Sequence, residues 1–243
     1  MKGKVISWVL WLCSIALLLY CSYATYIEYD FWIWFGFTLA LILSVWISSL
    51  LHELGHMLFG ALVKISAVPK FTSWRKFLDA MSCTIKPKTD KNLKFRIIFT
   101  TLGGLFVNFI FIVLGIVALC VPAVPTYLSA FLPSSLYLFI LNALPLYLNG
   151  GKTDGLVIYE LLRGDDEAKV LLAVLTVQAQ VLKGKPIEEV DENLLFGVPQ
   201  IREDDPAFIA LTELRYEYLK AKGEAEKAQG YKSRFEELKK EYT

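Results

Sequence analysis

The chain has 243 residues, of which 55% are apolar, 14% aromatic and only 20% charged, and its formal net charge is +1. A soluble domain carries about 25% charge and 45–50% apolar residues, so the composition excludes an ordinary soluble domain and a disordered chain. No basic stripe interleaved with aromatics is present, which excludes a nucleic-acid binder.

The oiliness is unevenly distributed. Residues 1–160 hold 12 Lys/Arg against 7 Asp/Glu and contain every long uncharged run, whereas residues 161–243 hold 13 against 17. This divides the chain into a membrane-spanning part, 1–160, and a soluble tail, 161–243. Residues 5–24 form the first span of about 20 apolar residues. A signal peptide is the competing reading, because Lys2 and Lys4 precede the run and Ser22-Tyr23-Ala24 offers a cleavage site, but the run exceeds the usual apolar core of about 7–15 residues. The second span covers 33–63, and its only ionisable residues are His52, Glu53 and His56. The third covers 97–121 and the fourth 127–148, with Pro122 and Pro125 punctuating the turn between them.

Positive charge orients these spans. Two lysines precede the first, and residues 64–96 carry nine Lys/Arg against Asp79 and Asp90, whereas the first loop holds only Glu28 and Asp30. Both basic ends therefore face the cytoplasm, giving a multi-pass protein of the cell membrane with both termini inside. Within 64–96, residues 64–68 and 81–86 alternate as strands. They form either a basic surface loop on anionic lipid or a small hairpin beside the membrane. In the tail, apolar residues at three-to-four spacing predict helices over 165–182, 206–221 and 224–242, broken at Gly184, Pro186 and Gly223. Leu182-Lys183-Gly184 and Ala221-Lys222-Gly223 read as one helix–turn–helix joint used twice, near the tetratricopeptide period but without most of that repeat's signature. The expected fold is thus an α-helical polytopic membrane protein of four spans, a small membrane-associated β-hairpin and a helical tail. The four cysteines (Cys13, Cys21, Cys83, Cys120) make no CxxC pair and no disulfide pattern.

The chemistry lies in His52-Glu53-Leu54-Gly55-His56. On a helix, His52 and His56 stand one turn apart on one face and reach one metal ion, with Glu53 placed to take a proton from a metal-bound water. Zinc suits two imidazoles and a carboxylate, leaving the fourth tetrahedral position for water. A chance motif and a proton relay in a transporter are the competing readings. Against them, the chain has only two histidines, both in the motif, and a metal offsets the cost of three ionisable groups in apolar helix. No histidine remains for a third ligand. Asp154 leads, because Pro145 and Gly150-Gly151 unwind the chain just before it near the cytoplasmic face. Asp79 and Asp90 are its rivals.

These residues resemble the site-2 protease family of intramembrane zinc metalloproteases. The resemblance covers about 45–160 and rests on the His-Glu-x-x-His motif, on Gly103-Gly104-Leu105-Phe106-Val107-Asn108, and on Asn142-x-x-Pro145 followed by Asp154-Gly155. It implies zinc held by His52, His56 and Asp154, water activated by Glu53, and peptide bonds cut within or beside the bilayer. Asn142 and Asn108 are then candidates for substrate positioning. Two departures stand out: Asp154 comes twelve residues after Asn142 where the family commonly has the Asp about eight after the Asn, and 64–96 is too short to hold an inserted PDZ domain.

The expected function is zinc-dependent hydrolysis of a peptide bond in a membrane-anchored protein or signal-peptide remnant. The strands at 64–68 and 81–86 are placed to hold an unwound substrate. The alternative is a catalytically inactive membrane scaffold or regulator whose helical tail recruits partners; an intact Glu53 argues against it. A transporter lacks the paired broken helices that inverted repeats provide. The tail is open to a regulator or a second copy of the chain.

Overall fold

The computed structural model describes residues 2–70, 82–121, 123–124, 126–148 and 151–242. Asp79, Met81, Pro122, Pro125, Asn149 and Gly150 lie outside them. Among the described residues the chain is mostly helical, with four helices long and apolar enough to cross a membrane and two small sheets.

Helices α1 (Lys2–Glu28) and α2 (Phe31–Leu62) form a hairpin turned at Tyr29-Asp30. Asp30 ends one helix and starts the next, because its carboxylate accepts from the amides of Trp32 and Ile33, both at 3.1 Å. Ser22 ties the pair together, bonded to Thr38 at 2.9 Å and to the Trp34 indole at 3.1 Å. At 32 residues α2 is roughly 50 Å long, more than the ~30 Å of a hydrocarbon core.

Helix α3 (Leu93–Cys120) lies along α2, and glycines permit it to lie close. A Cβ on Gly55 would collide with the Gly103 carbonyl, and one on Gly103 with that of Gly55. The next turn repeats the device: a Cβ on Gly60 would meet the Ile65 carbonyl oxygen at 3.0 Å and Thr100 Cγ2 at 3.2 Å. A different contact holds the last span to α2. Ser44, Ser48, Ser134 and Ser135 are all buried, and their hydroxyls link the two helices at 2.9–3.2 Å.

The fourth apolar run departs from the expected helix over 127–148. It is a 3-10 turn (Thr126–Phe131) continued by α4 (Leu132–Ala143), and the helix stops five residues early. Pro145 explains the stop: the residue before a proline is pushed out of the helical region, and Leu144 is extended at φ −74°, ψ 137°. The chain then forms a two-residue ladder, β3 (Tyr147–Leu148) against β4 (Gly151–Lys152). The expected hairpin in the basic loop is present as β1 (Ile65–Lys70) and β2 (Ser82–Pro87), antiparallel with Ile65 opposite Pro87. Lys64, at φ 60°, turns the chain into it from α2.

Helix α5 (Asp154–Arg163) leads into the tail, where α6 (Asp166–Leu182), α8 (Pro206–Ala221) and α9 (Ala225–Tyr242) begin within a residue of their expected starts. The two look-alike joints both turn on a left-handed glycine, Gly184 at φ 91° and Gly223 at φ 79°. Their continuations differ: the first opens onto a single 3-10 turn and the short α7 (Asn193–Phe196), the second onto the long α9. Helix α6 belongs to two cores at once. Val170, Val174 and Val177 pack with Leu195, Leu211 and Leu238 in the tail, while Ala168 and Leu175 pack with Ile65, Ile97 and Leu161. Helix α6 thus fastens the tail to β1, α3 and α5.

The glycine contact yields a stability prediction. Gly55→Ala and Gly103→Ala each place a methyl against backbone that cannot swing aside, so each should lower stability by about 1–3 kcal/mol. Gly36→Ala, where a Cβ meets nothing within 4 Å, should not. Unfolding midpoints in one detergent would compare the three.

Candidate metal centre

Helix α2 presents His52 and His56 one turn apart, with Nε2 to Nε2 at 3.1 Å and both rings buried. Asp154, the first residue of α5, completes a triangle: its Oδ2 lies 3.2 Å from Nε2 of His52 and 3.4 Å from Nε2 of His56. Ligands at about 2.0–2.2 Å from a tetrahedral ion stand about 3.3 Å apart, so the three atoms occupy the corners that such an ion requires. Oδ2 of Asp154 is buried and accepts no hydrogen bond, a costly state for a carboxylate oxygen that a metal would relieve. Among the described residues no other three His, Cys, Asp or Glu side chains converge in this way.

The neighbours on α3 orient the rings. Nδ1 of His56 is 3.0 Å from the Thr100 carbonyl, which can only accept, so Nδ1 carries the proton and Nε2 keeps its lone pair for a metal. Nδ1 of His52 is 2.9 Å from the side-chain amide of Asn108, whose Oδ1 is buried without a partner. With that amide turned over, Oδ1 accepts from Nδ1–H and frees Nε2 of His52 in the same way. Between them stands Gly104: a Cβ there would lie 2.6 Å from Cε1 of His52 and 2.6 Å from Nε2 of His56. Thr100, Gly104 and Asn108 are spaced by four, as are His52 and His56, so one face of α3 meets one face of α2.

Asp154 is delivered by the unwound segment after α4. Thr153 is the N-cap of α5, and its hydroxyl donates to the Leu144 carbonyl at 2.6 Å and accepts from the Leu146 amide at 3.0 Å. Gly155 lets α5 start against the end of α4, since a Cβ would collide with the Ala143 carbonyl. Glu53, next to His52, is buried with them at 5% exposure. The remaining candidates lie elsewhere. Asp90 pairs with Lys183 at 2.5 Å in an exposed ion pair that holds its carboxyl below the usual range. Asp79 is outside the described residues. Asn142, half-buried in α4, donates to the Leu138 carbonyl at 3.1 Å within its own helix.

Sequence reasoning offered Gly103-Gly104 and Asn108 through the family resemblance, with Asn108 as a candidate for substrate positioning. In the structure Gly103 lies against Gly55, Gly104 cradles the two imidazoles and Asn108 is a partner of His52; the spacing of four was the available signal. Sequence reasoning missed Thr100, which acts through its backbone, and an ionic cluster beside Asp154. There Lys152 Nζ sits 2.6 Å from Oε2 of Glu160 and 2.6 Å from Oδ2 of Asp205. Burial pulls the Lys152 ammonium towards neutrality, but the two carboxylates outweigh it and leave its pKa above the ordinary lysine value. Burial pushes the Glu160 carboxyl up against the pull of Lys152. Burial, then the charges of Asp204 and Asp205, push the Tyr147 hydroxyl up to about 12.

No protein-family model matches the chain, and neither a curated protein nor a solved structure does. What the described residues define is therefore a helical protein with four helices long and apolar enough to span a membrane and a buried His₂Asp cluster able to hold a metal ion.

The purified protein should carry about one divalent ion per chain, lost from His52→Ala, His56→Ala and Asp154→Asn. Gly104→Ala should lose it too although it removes no ligand, whereas Asp90→Asn should keep it. Metal analysis of detergent-solubilised protein provides the check.

Proposed function

We propose that this chain is an intramembrane zinc metalloprotease of the site-2 protease type, cleaving membrane-anchored proteins or signal-peptide remnants. The observation that carries the reading is the triangle of His52, His56 and Asp154 with buried Glu53 beside it, the histidines and Glu53 on a helix long and apolar enough to span a bilayer. A site meant only to bind a metal has no use for Glu53.

Exposed side chains support the membrane setting. Large apolar residues cover the outside of the helices, among them Leu19 at 66%, Leu58 at 60% and Leu119 at 63% exposed, far beyond the patches a soluble monomer leaves uncovered. Tyr26, Tyr29, Phe31 and Trp32 cluster at the turn between α1 and α2, as interfacial aromatic belts do. The basic 64–96 segment then lies on the cytoplasmic side of the cell membrane, with both termini.

Two imidazoles and one carboxylate favour zinc over harder ions that prefer oxygen. When bound, zinc lowers the pKa of a coordinated water and polarises the scissile carbonyl. Glu53 takes the proton of the attacking water as its oxygen bonds to the carbonyl carbon, and returns it to the nitrogen that leaves as the C–N bond breaks. Thr100 and Asn108 keep the two rings aimed while this happens. A transmembrane helix hides its own amides, so the substrate must unwind first, and an edge of the β1–β2 sheet can accept the extended segment by strand addition.

Glu53→Gln should keep the metal and lose cleavage of a membrane peptide by about 10²–10⁴-fold. Full activity in that variant overturns the protease reading. The orientation has its own test. On a cysteine-free background, Lys88→Cys should react with an impermeant probe only after cells are opened, and Tyr29→Cys in intact cells.

A further inference from the structure

We propose that Lys152 is the positioning residue for Asp154, and that the tail holds the third ligand in place through Asp205. This rests on the metal-centre reading above.

The ladder that delivers Asp154 is weak on its own. Strands β3 and β4 have two residues each, and so short a hairpin is not stable alone. The bonds of Thr153 to Leu144 and Leu146 shape this turn but connect it only to itself. Its anchorage comes from far along the sequence. Lys152, two residues before the ligand, puts its ammonium between Glu160 of α5 and Asp205 at the head of α8, at 2.6 Å to each. The three side chains are 9%, 10% and 3% exposed, so the cluster is not a surface ion pair.

Asp205 is itself held at both oxygens. Its Oδ1 accepts from the Ala207 amide at 2.9 Å and caps α8, while Oδ2 takes Lys152. Lys152 therefore cannot shift without disturbing the first turn of α8. The opposite strand is pinned to the same stretch. The Tyr147 hydroxyl donates to the Asp204 carbonyl at 2.5 Å, and its ring lies under the Arg202 guanidinium at 4.8 Å. Arg202 is held in turn by the Asp204 carboxylate at 2.6 Å. Both strands thus rest on 202–205, and Glu160, on the helix that Asp154 begins, sets the rotation of that helix from the same ammonium.

Two carboxylates around one ammonium leave a buried excess of negative charge, and apolar residues of the same volume would serve stability as well or better. What the ions add is direction: charge-assisted bonds accept a narrow geometry, whereas the apolar packing of Leu161 in α5 does not specify one. The tail is accordingly part of the scaffold of the metal centre.

The test uses the full-length protein loaded with zinc, followed by the rate of zinc loss to a chelator, and with Co(II), whose absorption reports its ligand set. Lys152→Met leaves two buried carboxylates uncompensated and tests fold as well as position. The triple variant Lys152→Met/Glu160→Gln/Asp205→Asn removes the charges together and keeps an α8 cap. Both should release zinc about tenfold faster than the native chain. The Co(II) absorption of the folded triple variant should shift away from the native spectrum, a change of ligand set that loss of stability alone does not cause. Lys152→Arg, which keeps the charge, should restore retention. If the triple variant has lost helix content, Asp205→Asn alone is read by the same two measurements. Native zinc retention and an unchanged Co(II) spectrum in the folded variant overturn the inference while leaving the metal centre intact. Native zinc retention in Asp154→Asn overturns the metal-centre reading, and the inference with it.

Discussion

The close approach of α3 to α2 is the constraint on which the rest of the molecule depends. Gly55 and Gly103 bring the two backbones into contact, and only at that separation does Gly104 lie against the imidazoles with Thr100 and Asn108 in reach of their Nδ1 atoms. A side chain on either helix would push the rings away from their partners. In the proposed membrane setting the glycines do a second service, because lipid offers no hydrophobic drive between helices and association there relies on close packing.

The second constraint is the handling of buried charge. His52, His56, Glu53 and Asp154 are held in an apolar surrounding, and the geometry of the three ligand atoms is what a shared cation would stabilise. Lys152, Glu160 and Asp205 meet the same problem without a metal, one ammonium shared between two carboxylates. The two clusters meet on one short stretch of chain, 152–160, which supplies Asp154 to the first and Lys152 and Glu160 to the second. A carboxylate delivered by an unwound segment has to be located by something outside that segment, and here the ions of the tail are in place to do it.

Much of this organisation was legible in the residues themselves. The lengths of the apolar runs and the Gly and Pro breaks located the helices to within a few residues, since local backbone chemistry decides both. The two histidines one turn apart needed only helical periodicity. Asp154 could be favoured over Asp79 and Asp90 because Pro145 and the glycines allow a bend near it. The end of the fourth helix was misjudged by five residues: composition stays apolar to Leu148, while the proline had already ended the helix at Ala143. The repeated joint in the tail was legible as two turns on left-handed glycines, but two similar turns say nothing about the length of the next element.

Local chemistry along the chain was enough to decide which segments are helical, which could cross a membrane, and that His52, Glu53 and His56 share one turn, because each is a property of sequence neighbours. It took the packed structure to decide that Gly104 cradles the imidazoles, that Thr100 and Asn108 orient them, and that Asp205 reaches Lys152 from 53 residues away. Those contacts join segments whose spacing leaves no pattern in the chain. A backbone carbonyl such as that of Thr100 is the same in every residue, and a lysine that will be buried between two carboxylates looks, in sequence, like any other lysine.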